Sequence, residues 1–313
     1  EKRLTNDSER SSDPVIALDY DSNVHITWID TRGGGFLGYK IYYTKLDNNG
    51  DTLVDDKQLT HHLEGSLYPT IAVDSNNTVH ITWGDYRDGN PEIYYTKLDN
   101  NGDSLIEDKR LTYAPNLSYA PTIAVDSNNT VHISWYDGTV GIYEIYYTKL
   151  DNNGSTLVDT IRLTNYDFAR SCRPTIATDS NNNVHIAWDD ERDGNWEIYY
   201  TKLDDNGNTL VDDMRITNFS GNSMSPKIAI DTDNNVHIIW EDDRDGNTEI
   251  YYTKLDNNGS TLINVTGLTV DHVTSDDPAI AIDTNNNVHI TWVDNRDGNR
   301  EIYYKHTISN MQK

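Results

Sequence analysis

Cysteine is almost absent. Cys172 is the only one in 313 residues, so no internal disulfide can form, no cluster of thiolates can hold a metal, and Cys172 reads as a solitary loop thiol. Basic residues are scarce too: 25 Lys and Arg stand against 51 Asp and Glu, a formal charge of −26. Such a surface repels phosphate backbones, and basic clusters with interleaved aromatics are missing, so nucleic acid is not an expected partner. No apolar run approaches the ~18 residues of a spanning helix, and the residues given contain no leader pattern; membrane insertion is not expected. No segment sustains a helical period.

What the chain has is repetition. A unit of roughly 52 residues recurs six times, reading Pro-Thr-Ile-Ala-x-Asp, Val-His-Ile-x-Trp, Glu-Ile-Tyr-Tyr-Thr-Lys-Leu-Asp, Asn-Asn-Gly and Arg-Leu-Thr with variations. Asp19, Asp74, Asp126, Asp179, Asp231 and Asp283 mark the register. His25, His80, His132, His185, His237 and His289 keep step, and a tryptophan follows each histidine by three residues, which uses six of the seven tryptophans. The sixth unit stops after Glu301-Ile302-Tyr303-Tyr304-Lys305, whereas Glu1-Lys2-Arg3-Leu4-Thr5 matches the closing segment of a unit. That offset predicts a closed array in which residues 1–5 complete the last unit and leave no free sheet edge.

Each unit reads as four short strands. Proline opens the first, where a missing ladder donor does least harm, and an Asn-rich turn follows in which asparagine tolerates positive φ. The second strand alternates, with Val, Ile and Trp on one face and His on the other; the third is rich in Ile and Tyr and ends in an Asn-Gly hairpin signal. The prediction is an all-β, six-bladed β-propeller with four antiparallel strands per blade. It forms a single domain over 1–313, with blades near 14–60, 69–112, 121–164, 174–217, 226–269 and 278–306 plus 1–5. The repeated tyrosine pairs read as packing, and the repeated histidines as hydrogen bonds between stacked blades.

The third-to-fourth hairpins Leu150-Asp151-Asn152-Asn153-Gly154-Ser155-Thr156-Leu157 and Leu203-Asp204-Asp205-Asn206-Gly207-Asn208-Thr209-Leu210 carry a resemblance. They resemble the Asp-box, Ser-x-Asp-x-Gly-x-Thr-Trp, of the sialidase-like (BNR-repeat) propellers. Glycine and threonine fit; leucine replaces both serine and tryptophan, and the aspartate position is Asn152 in one and Asp205 in the other. The resemblance implies a propeller but no single activity, because that superfamily includes sialidases, other glycosidases, lyases, lectins and scaffolds. The Phe/Tyr-Arg-Ile-Pro signature that carries the first sialidase arginine is absent.

Candidate site residues fall into three groups. The loops after the second strand repeat Asp-x-Arg-Asp-Gly-Asn, and Arg87, Arg192, Arg244 and Arg296 could fork onto a carboxylated sugar or simply close their own loops. Where loops depart from the repeat, Phe36, Tyr39, Tyr113, Tyr143, Tyr166 and Phe219 offer aromatic faces for a ligand. The same loops supply Glu64, Asp167 and Arg170 as weak catalytic candidates, the two carboxyls as a pair for glycoside hydrolysis. His61, His62 and His272 read as surface histidines. Asp179, Asp231 and Asp233 echo calcium loops but lack the glycine and distal glutamate of an EF-hand, so no cofactor is required and calcium is the one ion worth testing.

These features predict a secreted or cell-surface binding propeller, a monomer or a module of a larger protein, which recognises a glycan or surface protein without catalysis. The alternatives are a glycan-active enzyme, hydrolase or lyase, and a structural scaffold.

Overall fold

The computed structural model describes residues 2–6, 8–32, 38–139, 141–165, 168–269 and 273–307. Two compact units emerge, Glu1–Arg162 and Leu163–Lys313, where the repeats read as one array. The first unit holds β1 (Ser11–Leu18), β2 (Val24–Asp30), β3 (Lys40–Leu46), β4 (Thr52–Gln58), β5 (Ser66–Val73), β6 (Val79–Asp85), β7 (Glu92–Leu98), β8 (Ser104–Arg110), β9 (Ser118–Val125), β10 (Val131–Asp137), β11 (Glu144–Leu150) and β12 (Thr156–Arg162). The second holds β13 (Ser171–Thr178), β14 (Val184–Asp190), β15 (Glu197–Leu203), β16 (Thr209–Arg215), β17 (Ser223–Ile230), β18 (Val236–Asp242), β19 (Glu249–Leu255), β20 (Thr261–Gly267), β21 (Ser275–Ile282), β22 (Val288–Asp294) and β23 (Glu301–Thr307). Consecutive strands pair antiparallel into five four-stranded sheets and a last sheet of three, and the fold is a six-bladed β-propeller. No helix among the described residues is long and apolar enough to cross a membrane.

Burial follows the repeat. β6 and β7 are buried along their whole length, while β8 is partly exposed. Trp83 stacks on Tyr94 across the β6–β7 pair, with ring centroids 6.1 Å apart. The predicted turns form as expected: Asn77 and Asn182 adopt φ of 61° and 63°. Asp74 Oδ1 accepts from the Asn76 and Thr78 amides at 2.9 and 3.0 Å, which pins the turn that Asn77 closes.

The histidines depart from expectation. His80 donates or accepts within its own blade, Nδ1 to the Tyr95 hydroxyl at 2.8 Å and Nε2 to Asp74 at 3.2 Å. Links between neighbouring blades come instead from lysine: the Lys45 ammonium reaches the Asn100 carbonyl at 3.3 Å, and Lys202 reaches that of Asn257 at 3.0 Å. A lysine stem is long enough to cross between sheets, whereas the imidazole is held between the first and third strands of one sheet.

Two further differences concern the strands. The first strand starts three residues earlier than proline suggests, at Ser11, Ser66, Ser118, Ser171, Ser223 and Ser275. Proline sits inside it, at a register shift where the preceding residue takes a left-handed conformation: Asp13, Tyr68, Ala120, Arg173, Ser225 and Asp277, with φ of 45–55°. A bulge releases the ladder position that proline cannot fill and turns a side chain outward. The second difference is at the N-terminus. Residues 2–6 lie in no strand, so the expected fourth strand of the last sheet is not formed. Lys2 donates to the Gly50 carbonyl at 2.7 Å, the contact that Lys57 of the fourth strand β4 makes with the Gly102 carbonyl at 2.7 Å. With β23 outermost, Ile302 and Tyr304 are exposed where their counterparts Ile93 and Tyr95 are buried.

Candidate functional site

The end of the second strand and the start of the first share one edge of each sheet. Asp85, fully buried there, accepts from Trp83 Nε1 at 2.8 Å, Ser66 Oγ at 2.9 Å and Arg87 Nε and Nη2 at 2.8 and 2.7 Å. Arg87 also reaches Asp108 on β8 at 2.7 Å and stacks over the Tyr94 ring at 4.2 Å. One guanidinium thereby joins the second, third and fourth strands of its blade. Burial works against the charge of Asp85, but these donors hold its carboxyl below the usual range. Arg192 repeats the arrangement with Asp190, Asp213 and Tyr199. Arg244 and Arg296 pair with Asp242 and Asp294, and Arg32 pairs with Asp30. These guanidinium groups close their own loops.

At the same edge lie two positions where the blades differ: the bulge residues, and the residue following each repeated tryptophan, which is Ile29, Gly84, Tyr136, Asp189, Glu241 or Val293. In the first unit, Asp13 apart, they are apolar or aromatic. Tyr68 and Tyr119 meet edge-on at 4.8 Å, Tyr119 contacts Tyr136 at 5.8 Å and Tyr86 at 6.4 Å, and Tyr136 contacts Tyr143 at 5.4 Å. Gly84 borders this cluster, and a Cβ there would meet the Tyr119 ring at 4.0 Å, an ordinary van der Waals contact. Burial and the neighbouring hydroxyls push the Tyr119 phenol well above its ordinary range, so it stays neutral. Beside the cluster a cavity of about 210 Å³ is lined by Tyr39, Tyr68, Leu67, Ile29 and Asp13, among others.

The second unit places charges at the equivalent positions. Asp189, fully buried, receives Arg173 Nε at 2.5 Å and the Ser225 amide of the next blade at 2.9 Å, both on Oδ2. Burial outweighs both contacts and pushes its carboxyl up to about 6. Glu241 repeats the motif one blade on, accepting from the Asp277 amide at 2.8 Å, and burial raises its carboxyl as well. Lys227 is open to solvent yet ringed by protein, which lowers its ammonium. Cys172, opposite Asp189 in the ladder, is pushed up to about 12 by burial and is a poor nucleophile.

The structure brings together some sequence candidates and separates others. Tyr39 and Tyr143 join the aromatic edge. Tyr113 is exposed under the Arg110 guanidinium at 4.3 Å, and Phe219 lies under Arg244 at 3.3 Å. Phe36, Tyr166, Asp167 and His272 fall outside the described residues. Glu64 is exposed, and its carbonyl accepts from Lys40 at 2.8 Å. Arg170 forks onto Glu191 at 2.7 and 2.8 Å. Asp179 and Asp231 face donors, namely the turn amides, His185 or His237, and Lys202 or Lys254. Asp233 accepts from Asn286 at 3.3 Å. N–H donors repel a cation, so these aspartates are turn and core acceptors. Loop asymmetry did not point to Asp189, Glu241 or Arg173; variation inside the strands, read column by column, identifies all three.

No family model matches the sequence, and no curated protein matches it. Solved structures match in fold. A protein of unknown function from Dyadobacter fermentans aligns at TM-score 0.67 and 11% identity, over 96% of this chain and 95% of that one. An α-L-arabinanase from Penicillium chrysogenum, complexed with arabinobiose, aligns at TM-score 0.65 and 11% identity over 96% and 93%. A sialidase from Streptococcus pneumoniae aligns at TM-score 0.64 and 10% identity over 93% and 67%. The chain is similar to these propellers in architecture; no family match carries the Asp-box assignment.

Proposed function

We propose that this chain is a carbohydrate-binding propeller that works without turnover, through the edge where the bulged first strands begin. The observation that carries this reading is the tyrosine cluster of the first unit. Tyr68, Tyr119, Tyr136 and Tyr143 gather at strand ends beside a cavity, and at the first three of these positions the other repeats carry no aromatic residue. Aromatic faces cover the apolar side of a sugar ring while their hydroxyls meet its polar rim. The fold similarity to an arabinanase and a sialidase supports a glycan as the ligand class. An extracellular or cell-surface setting completes the proposal, with a glycan or a surface protein as the partner; the formal charge of −26 suits such a setting.

A second reading is favoured by the fold similarity to an arabinanase and a sialidase, with Asp189, whose carboxyl burial pushes up to about 6, as the group to test. In that case the chain is a glycan-active enzyme, a hydrolase or a lyase. One experiment separates the two: a glycan array followed by calorimetry and a reducing-end assay on each glycan that binds. Binding without new reducing ends is expected, and Tyr119→Ala is expected to weaken it roughly tenfold, ~1.4 kcal/mol. New reducing ends that vanish in Asp189→Asn would establish the enzyme. A blank array would remove both readings in favour of a scaffold.

A further inference from the structure

Arg173 and Lys227 are cations with unused donors in a chain of formal charge −26. Arg173 is held rigidly: its backbone is left-handed at φ 50°, its Nε is bonded to Asp189, and its guanidinium lies 5.2 Å from the centre of the Trp196 ring. Its two terminal nitrogens have no hydrogen bond among the described residues, and its side chain is 43% exposed. Lys227 lies two residues beyond Ser225, whose amide is fixed to the same Asp189 oxygen, and its ammonium also makes no bond among the described residues. The second Asp189 oxygen, Oδ1, is enclosed and has no partner.

We infer that this corner of the second unit binds a uronate residue of an acidic glycan. Its carboxylate is taken by the terminal nitrogens of Arg173 and the Lys227 ammonium. The chemistry selects among anions. A planar guanidinium edge matches a planar carboxylate. Glu241 and Asp277, joined by the Asp277 amide at 2.8 Å and both coupled electrostatically to Lys227, disfavour a dianion such as a phosphate monoester. Trp196 completes the corner and is the one tryptophan outside the repeat. Arg170, also over that ring at 5.4 Å, is neutralised by its fork onto Glu191 and is not counted as a ligand group.

This inference rests on the carbohydrate-binding reading and narrows it to a ligand class. The test is calorimetry on the whole chain with trigalacturonate and with the neutral galactose trimer of the same linkage. Trigalacturonate is expected to bind more tightly. Lys227→Met, which breaks no bond in the protein, is expected to weaken it roughly tenfold or more while leaving the neutral trimer within about twofold. Arg173→Lys keeps a charge beside Asp189 but loses the fork, and the same selective loss is expected. Equal affinity for the two trimers, or an unchanged affinity in Lys227→Met, overturns the inference and leaves the carbohydrate-binding reading standing. Failure to bind any glycan removes both.

Discussion

Replacing Trp83 with alanine is expected to destabilise the fold by about 3–5 kcal/mol, the cost of emptying a buried indole site. Trp83 is fully buried within a cluster of Ile29, Ile41, Tyr43, Ile71, Ile81 and Tyr94, and its Nε1 donates to the buried Asp85 at 2.8 Å. The substitution removes the packing and one of the donors that make a charge tolerable at that depth. Trp83→Phe, which keeps a ring but loses the donor, should cost about 1–2 kcal/mol. Trp196→Ala should cost well under half of the Trp83→Ala effect, because Trp196 is only half-buried and lies outside the core clusters. Urea denaturation followed by circular dichroism ranks the three, and a Trp196→Ala loss as large as that of Trp83→Ala would contradict the division between repeated core and variable edge.

Acid should destabilise the chain before its depressed aspartates titrate. His237 is buried, and desolvation is the largest cause of its lowered pKa, about 4, with the Lys254 charge adding to it and Asp231 opposing. His25, His80 and His185 shift in the same direction for the same leading reason. The sign follows directly. Between pH 6.5 and about 4 the unfolded chain binds protons at these imidazoles that the folded chain does not, so falling pH favours unfolding. His237 alone is worth about 3 kcal/mol across that window. Asp189, Glu241 and Asp276 act in opposition, because their raised carboxyls bind protons first in the folded state. Below about 3.8 the depressed Asp19, Asp74, Asp179 and Asp231 add to the loss. A melting temperature that falls steeply from pH 6.5 towards 4 is expected; a flat profile over that range would contradict the buried, neutral histidines.

The fold was legible because every structural device is written six times. Asp74, His80 and Trp83 recur at fixed spacing, and the tyrosine that each histidine meets follows it by 15 residues in every repeat but the first, where the spacing is 18. Less legible was which partner each side chain chooses. His80 reads equally well as an inter-blade or an intra-blade donor until the distances to Asp74 and Tyr95 are known. Proline at the first strand hid the bulge, because a missing donor marks a strand start as readily as a kink. The site was harder still. Arg87 attracts notice because it repeats, and it repeats because it closes its loop onto Asp85 and Asp108. Arg173 occurs once, at the position before the repeated proline that Asp13, Tyr68, Ala120, Ser225 and Asp277 hold elsewhere, and the shared left-handed backbone shows what these unlike residues have in common.

The account's central claim is that ligand recognition resides in those columns and not in the repeated faces. It is tested most directly by a variant that replaces four edge residues with those found at the same positions in other repeats: Tyr68→Ser, Tyr119→Ser, Arg173→Ser and Lys227→Thr. Circular dichroism would establish that the fold is retained, and the glycan array would be run beside the parent chain. The account predicts a native spectrum and the loss of every glycan signal; a native spectrum with undiminished binding would return recognition to the repeated residues and contradict it.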